Sequence, residues 1–197
     1  SIGGIFACNL AGPRRLKAGA ARDHLLGFRA VSGRGEIFKS GGRVVKNVTG
    51  YDLSKLMVGA YGTLAAMTEV TFKVMPKPEK TWTVLVLGLD PATAVRAMSA
   101  AMNSPHEVSS AGYLPAGLAV RSEVGHVAAS GQSVTALRVE GPGPSVEHRV
   151  AALRQMLADF GAGEELHSMN SNRFWTEMRD AVHLAEPLDR SVWRVSV

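Results

Sequence analysis

Two prolines one lysine apart, in Met75-Pro76-Lys77-Pro78-Glu79-Lys80, divide this chain. Each fixes its own φ, lacks an amide donor and pushes the preceding residue away from helical geometry. Neither a helix nor a central strand runs through such a segment. The pattern of residues also changes across it. We therefore expect one domain over residues 1–78 and a second over 79–197.

The first part reads as short strands and turns. Gly3 to Leu10 is apolar and small, a short helix after a glycine turn. His24 to Val31 reads as a strand, Ser32-Gly33-Arg34-Gly35 as a hairpin turn and Glu36 to Lys39 as the return strand. Asp52 to Val58 reads as a helix with Asp52 at or near its N-cap. Leu64 to Met75 alternates Thr68, Val70, Phe72 and Val74 with Glu69, Thr71 and Lys73, the period of a strand.

The second part alternates more clearly. Trp82 to Leu89 is a strand, and Asp90-Pro91 opens a helix to about Met102. Glu107 to Leu114, Leu118 to Val127, Ser133 to Glu140 and Glu164 to His167 read as further strands. Ser145 to Phe160 is a helix with Val146, Val150, Leu153 and Leu157 on one face. Ser171 to Val182 is a helix carrying Phe174, Trp175 and Met178, which could line a pocket but whose helical spacing favours core packing. Two β-α-β units around one sheet predict a ferredoxin-like α+β sandwich. Ser191 to Val197 reads as a strand that stops without a cap or polar tail, the mark of a fragment.

Charge follows the same division. Residues 1–80 hold 13 Lys/Arg against 5 Asp/Glu, and residues 81–197 hold 9 against 12. A basic half suits nucleic acid or a cofactor's phosphates. Aromatic residues are not interleaved with the cations, which argues against a platform for single strands. No apolar run approaches the roughly 20 residues of a membrane-spanning helix, and Ser1-Ile2-Gly3-Gly4 has no basic leader. The single cysteine, Cys8, excludes an internal disulfide and fits a reducing compartment.

Chemistry concentrates in two segments. Ser1-Ile2-Gly3-Gly4-Ile5-Phe6-Ala7-Cys8-Asn9 pairs two glycines with a helix start, where bare amides favour a pyrophosphate. Lys46 to Glu69 contains a glycine-bounded turn (Thr49-Gly50-Tyr51-Asp52), a short amphipathic helix, and a second glycine turn (Gly59 to Gly62) feeding a strand. Arg22 and Asp23 are expected to support the fold. The six histidines have no metal-ligand spacing, and the chain has no nucleophile elbow, phosphate-binding Walker loop or Cys-x-x-Cys. Asn47-Val48-Thr49 is a formal glycosylation sequon.

Together the two segments resemble the FAD-binding domain of the vanillyl-alcohol oxidase, or PCMH-type FAD-linked oxidase, family. Gly12-Pro13-Arg14-Arg15 and Val45 to Gly59 resemble the FAD-binding subunits E of bacterial glycolate oxidases more than the catalytic subunits. The resemblance covers residues 1 to about 76 and implies an α+β fold: the second half of the FAD domain, then a ferredoxin-like cap. It implies FAD as cofactor, contacted by Ser1, Gly3, Gly4, the small residues of the following helix (Ala7, Asn9, Ala11 and Gly12), and Met67 before Thr68-Glu69. It implies no catalytic residue and no metal ligand. The usual Gly-Thr-Leu-Gly stands here as Gly62-Thr63-Leu64-Ala65. The family's first FAD subdomain has no counterpart in the chain, so these residues alone are expected to bind FAD poorly or not at all.

The function implied is that of a flavoprotein subunit of a 2-hydroxy-acid oxidising complex, converting glycolate to glyoxylate. Its partners would be a flavin catalytic subunit and an iron–sulfur subunit. Its place would be the cytoplasm, with peripheral attachment at the inner membrane through the complex. Two other readings stand beside it: a flavin-free docking subunit of the same complex, and a basic RNA-binding module built on the ferredoxin-like half. The aromatic-rich strand motif of an RNA-recognition domain is missing.

Overall fold

The computed structural model describes residues 1–46, 50–185, 189, 191–193 and 195. They form two compact units, Ser1–Lys77 and Pro78–Val197. The sequon Asn47-Val48-Thr49 lies outside the described residues.

The first unit opens with α1 (Ile2–Ala7), followed by one-turn helices α2 (Arg15–Ala18) and α3 (Ala21–His24). Strands β1 (Leu25–Ser32) and β2 (Ile37–Gly41) form the hairpin, α4 (Leu53–Met57) follows, and β3 (Ala65–Phe72) completes a three-stranded antiparallel sheet in the order β2-β1-β3. Gly3 and Gly4 sit inside the first turn of α1 rather than in a turn before it. Ser1 offsets the cost of glycine there by capping the helix, its Oγ accepting the Gly4 amide at 3.0 Å. Asp52 caps α4 in the same way, through the Lys55 amide. Phe28 and Ala30 on β1 meet Met57 and Ala65, and Leu25 meets Phe6 and Val58, so α1 and α4 share one face of the sheet. The opposite face carries Arg29, Lys39 and Glu69 in register. The alternation read over Leu64 to Met75 becomes burial only in part: Val70 packs, whereas Val74, beyond the strand, is 79% exposed.

Gly27 and Gly41 face each other at a close crossing of β1 and β2. A Cβ on Gly41, whose φ is +72°, would lie 2.1 Å from the Leu26 carbonyl oxygen. Only glycine fits that crossing.

The second unit begins with β4 (Lys80–Leu87). Asp90 caps α5 (Pro91–Met102) through the amides of Ala92 and Thr93. Strand β5 (Ser110–Leu114), helices α6 (Ala116–Ala119) and α7 (Gly125–Ala129), β6 (Val134–Gly141), α8 (Gly143–Met156), β7 (Ala162–Leu166) and α9 (Ser168–Asp180) follow. The sheet order is β5-β6-β4-β7 with every neighbouring pair antiparallel. Two interleaved β-α-β units give this order, which is the ferredoxin-like arrangement.

Both faces of this sheet are covered. Val84, Val86, Leu137 and Val139 meet α5 and α8 on one side. Leu85, Ala136 and Leu166 meet Phe174 and Trp175 of α9, with Ala119, Val124 and Val127, on the other. The strand expected at Leu118 to Val127 is instead the α6–α7 segment, because its apolar residues cover the sheet from outside rather than extend it. Thr83 on β4 is fully buried and joins α9 to the sheet: its Oγ1 accepts the Trp175 indole N–H at 2.8 Å and lies 2.7 Å from Ser171 Oγ. Glu177, also buried, accepts the Ser122 hydroxyl at 2.6 Å and the Glu123 amide at 2.9 Å, with His183 Nε2 at 3.1 Å. The described residues of the expected Ser191–Val197 strand, namely 191–193 and 195, belong to no strand.

Candidate cofactor-binding segment

The two informative segments, some fifty residues apart in sequence, meet in space. The Gly59 amide donates to the Phe6 carbonyl at 3.2 Å, and the Tyr61 amide donates to the Ala7 carbonyl at 2.9 Å. The glycine turn of the second segment therefore holds the C-terminal end of the helix made by the first. Gly59 and Gly62 have φ of +87° and +76°, which gives the turn its shape. On its other side α1 approaches β3: a Cβ on Gly3 would stand 3.8 Å from the Met67 carbonyl oxygen.

The expected cofactor residues can now be placed. Ser1, Gly3, Gly4 and Ala7 lie on α1 or at its cap. Asn9, Ala11 and Gly12 do not continue the helix, as the sequence suggested they would, because the helix ends at Ala7. Met67 lies on β3, its side chain packed between the two small cores of the unit. Ala65, where the usual pattern has glycine, is buried, with its methyl among Phe28, Ala30 and Met57.

These residues suit a diphosphate in one respect. Ser1 Oγ takes the Gly4 amide and the Ser1 carbonyl takes the Ile5 amide, leaving the amides of Ile2 and Gly3 without an acceptor among the described residues. Gly3 and Gly4 add no side chain that would keep a ligand from them. Two clefts of this unit lie elsewhere. One, of about 150 Å³, includes Asp23, Tyr51, Asp52 and Lys55; the other, of about 220 Å³, includes Arg29, Lys39, Arg43 and Glu69. The α1 segment presents an open surface, with Ile2, Ile5 and Leu10 each about half exposed.

Arg22 and Asp23 serve the fold. Asp23 Oδ2 accepts the Ala20 amide at 2.8 Å, and this bond holds its carboxyl below the ordinary value of 3.8. The Arg22 amide donates to Asn9 Oδ1 at 3.0 Å, and the Arg22 carbonyl accepts from Lys55 Nζ. Sequence reading did not anticipate the role of Asn9 in this cluster, since its partner lies 13 residues away. Among the described residues, no group of three or more His, Cys, Asp or Glu side chains could hold a metal ion, and no helix is long and apolar enough to cross a membrane.

Comparison with known proteins extends over the whole chain. It is 34% identical over 195 residues to glycolate oxidase subunit GlcE of Escherichia coli, matching 99% of this chain and 47% of that protein. It is 45% identical over 87 residues to glycolate oxidase subunit GlcD of Bacillus subtilis, matching 44% of this chain and 18% of that one. An 85-residue match at 46% identity is to an uncharacterised FAD-linked oxidoreductase of Mycobacterium tuberculosis. The chain is therefore similar in sequence to glycolate oxidase subunits and to FAD-linked oxidoreductases.

The chain spans about half the length of the Escherichia coli relative and under a fifth of the other two. No protein-family model matches it. The fold itself recurs in solved structures of alkyldihydroxyacetonephosphate synthase, one with a TM-score of 0.70 and 21% identity, covering 92% of this chain and 36% of that one. The match to GlcE runs through both units, whereas the GlcD match covers less than half of the chain.

Proposed function

We propose that this chain is the portion of a glycolate oxidase FAD-binding subunit that supplies the second half of the FAD domain, residues 1–78, and a ferredoxin-like cap, residues 79–197. The complex containing it oxidises glycolate, or a related 2-hydroxy acid, to the 2-oxo acid. The observation that carries this reading is the 34% identity to GlcE across both units. The joining of the α1 segment to the Gly59–Gly62 turn supports it, since it makes the two resembling segments one local structure.

In this reading Ser1, Gly3 and Gly4 line the diphosphate, and the Ile2 and Gly3 amides donate to it. Ala7, Ala11 and Gly12 keep the adjoining surface low, and Met67 closes it from β3. Bound flavin supplies the capacity to accept a hydride; the residues of this chain orient it and shield it from water. The alcohol chemistry falls to a partner flavin subunit, with an iron–sulfur subunit taking the electrons onward. The complex sits in the cytoplasm, attached peripherally at the inner membrane.

The test is flavin content. The full-length protein containing this chain, purified and denatured, should release close to one FAD per chain, whereas residues 1–197 alone should retain little. In the reconstituted complex, glycolate should bleach the flavin absorbance. A full-length protein that carries no flavin and takes none up would favour a docking role and overturn the proposal.

A further inference from the structure

Helix α1 ends in a Schellman motif. The Leu10 amide bonds to the Ile5 carbonyl at 3.0 Å and the Asn9 amide to the Phe6 carbonyl at 3.0 Å, with Asn9 at φ +48°. Glycine is the usual residue at that position, because a Cβ is disfavoured in the left-handed region. Asparagine tolerates it and adds a side chain. Here that side chain is engaged: Oδ1 accepts the amide of Arg22, in the first turn of α3. The preceding amide of the same turn, Ala21, donates to the Leu10 carbonyl at 3.2 Å. Two of the unsatisfied N-terminal amides of α3 are thus capped by the residues that terminate α1.

We infer that Asn9 is a positioning residue, the joint that fixes α1 against α3, and that it touches no cofactor through its amide group. This rests on the flavin reading above for what α1 carries. Three independent bonds meet at one end of the helix: the Gly59 amide on Phe6, the Tyr61 amide on Ala7, and the Asn9 side chain on Arg22. The first two tie α1 to the glycine turn, and the third ties it to α3. The orientation of the Asn9 amide follows from its partner: an N–H donor needs the oxygen, so Oδ1 faces Arg22 and only the NH2 group remains for anything else.

Two substitutions in the full-length protein separate the roles. Asn9→Gly adopts φ +48° freely but removes the acceptor. Asn9→Asp keeps an oxygen for Arg22 and removes the NH2 group. Two readouts are taken on each: FAD affinity by titration of the flavin-free protein, and exchange of the Arg22 amide by NMR in the same flavin-free state. Asn9→Gly should weaken FAD binding and speed Arg22 exchange, each on the order of tenfold, the scale of one lost hydrogen bond. Asn9→Asp should match the parent in both. If Asn9→Asp loses FAD affinity like Asn9→Gly while its Arg22 amide stays protected, the NH2 group contacts the cofactor and the inference is wrong. If Asn9→Gly behaves like the parent, it is equally wrong. A parent that takes up no FAD overturns the flavin reading and the positioning role with it; a parent that binds FAD with an unprotected Arg22 amide overturns the positioning role alone.

Discussion

Replacing Thr83 with valine is the most direct probe of how the second unit is held together. Thr83 is fully buried on β4, and one oxygen atom serves two groups of α9, the Trp175 indole N–H and the Ser171 hydroxyl. Valine has nearly the same shape but no oxygen. The indole N–H then has no acceptor, and a buried donor left unpaired costs about 1–3 kcal/mol. Ser171 adds little, because its hydroxyl can turn to a carbonyl of its own helix. The extra methyl recovers a fraction of that cost, so we expect a net loss of about 2 kcal/mol. Thr83→Ser keeps the oxygen and loses only a methyl, for about 0.5–1.5 kcal/mol. All three tryptophans, Trp82, Trp175 and Trp193, lie in the second unit, so urea unfolding followed by tryptophan fluorescence reports on that unit. With a slope near 2 kcal/mol per molar, the midpoint should fall by about 1 M for Thr83→Val. Combining Thr83→Val with Trp175→Phe should show a coupling of about 1 kcal/mol or more. A valine variant that is no less stable than the serine variant, or a cycle with no coupling, would refute the argument that the shared oxygen, rather than apolar packing, fastens α9.

Two further perturbations address the first unit. Gly41→Ala should lower its stability by about 2–5 kcal/mol, because the new Cβ meets the Leu26 carbonyl at 2.1 Å in a left-handed backbone, whereas Gly33→Ala, with nothing within 4 Å, should be neutral; amide exchange across β1 and β2 distinguishes the two. Asp23 gives a pH dependence of definite sign. Its folded value lies below 3.8, so its contribution is complete above that value and is lost as pH falls through the folded one; Asp23→Asn should flatten the acid limb of a stability-against-pH curve measured by circular dichroism.

Much of the fold was legible because local chemistry and burial agreed. Asp90-Pro91 marks the start of α5, and Asp52 that of α4. Residues 115–133 were not legible. Leu118, Val124 and Val127 match a strand as well as short helices, and what decides is the uncovered second face of a sheet made by residues far away in sequence. Gly3 and Gly4 read as a glycine turn with a helix starting just after them; the structure holds them in the first turn of that helix, where the Ser1 cap offsets glycine's poor helix preference. At the candidate site, the small residues and paired glycines could be picked out by type. The linkage of Phe6 and Ala7 to Gly59 and Tyr61, and the engagement of Asn9 by Arg22, rest on backbone partners that carry no signature in residue type.

The ferredoxin-like sheet has helices against both of its faces. Its broad surfaces are therefore spent on folding, and what the sheet itself leaves for recognition is its rims: the turns at the strand ends and the outer borders of β5 and β7. Variation confined to those rims can retune what the unit meets while leaving its interior intact, so specificity and stability in this half of the chain are free to change separately.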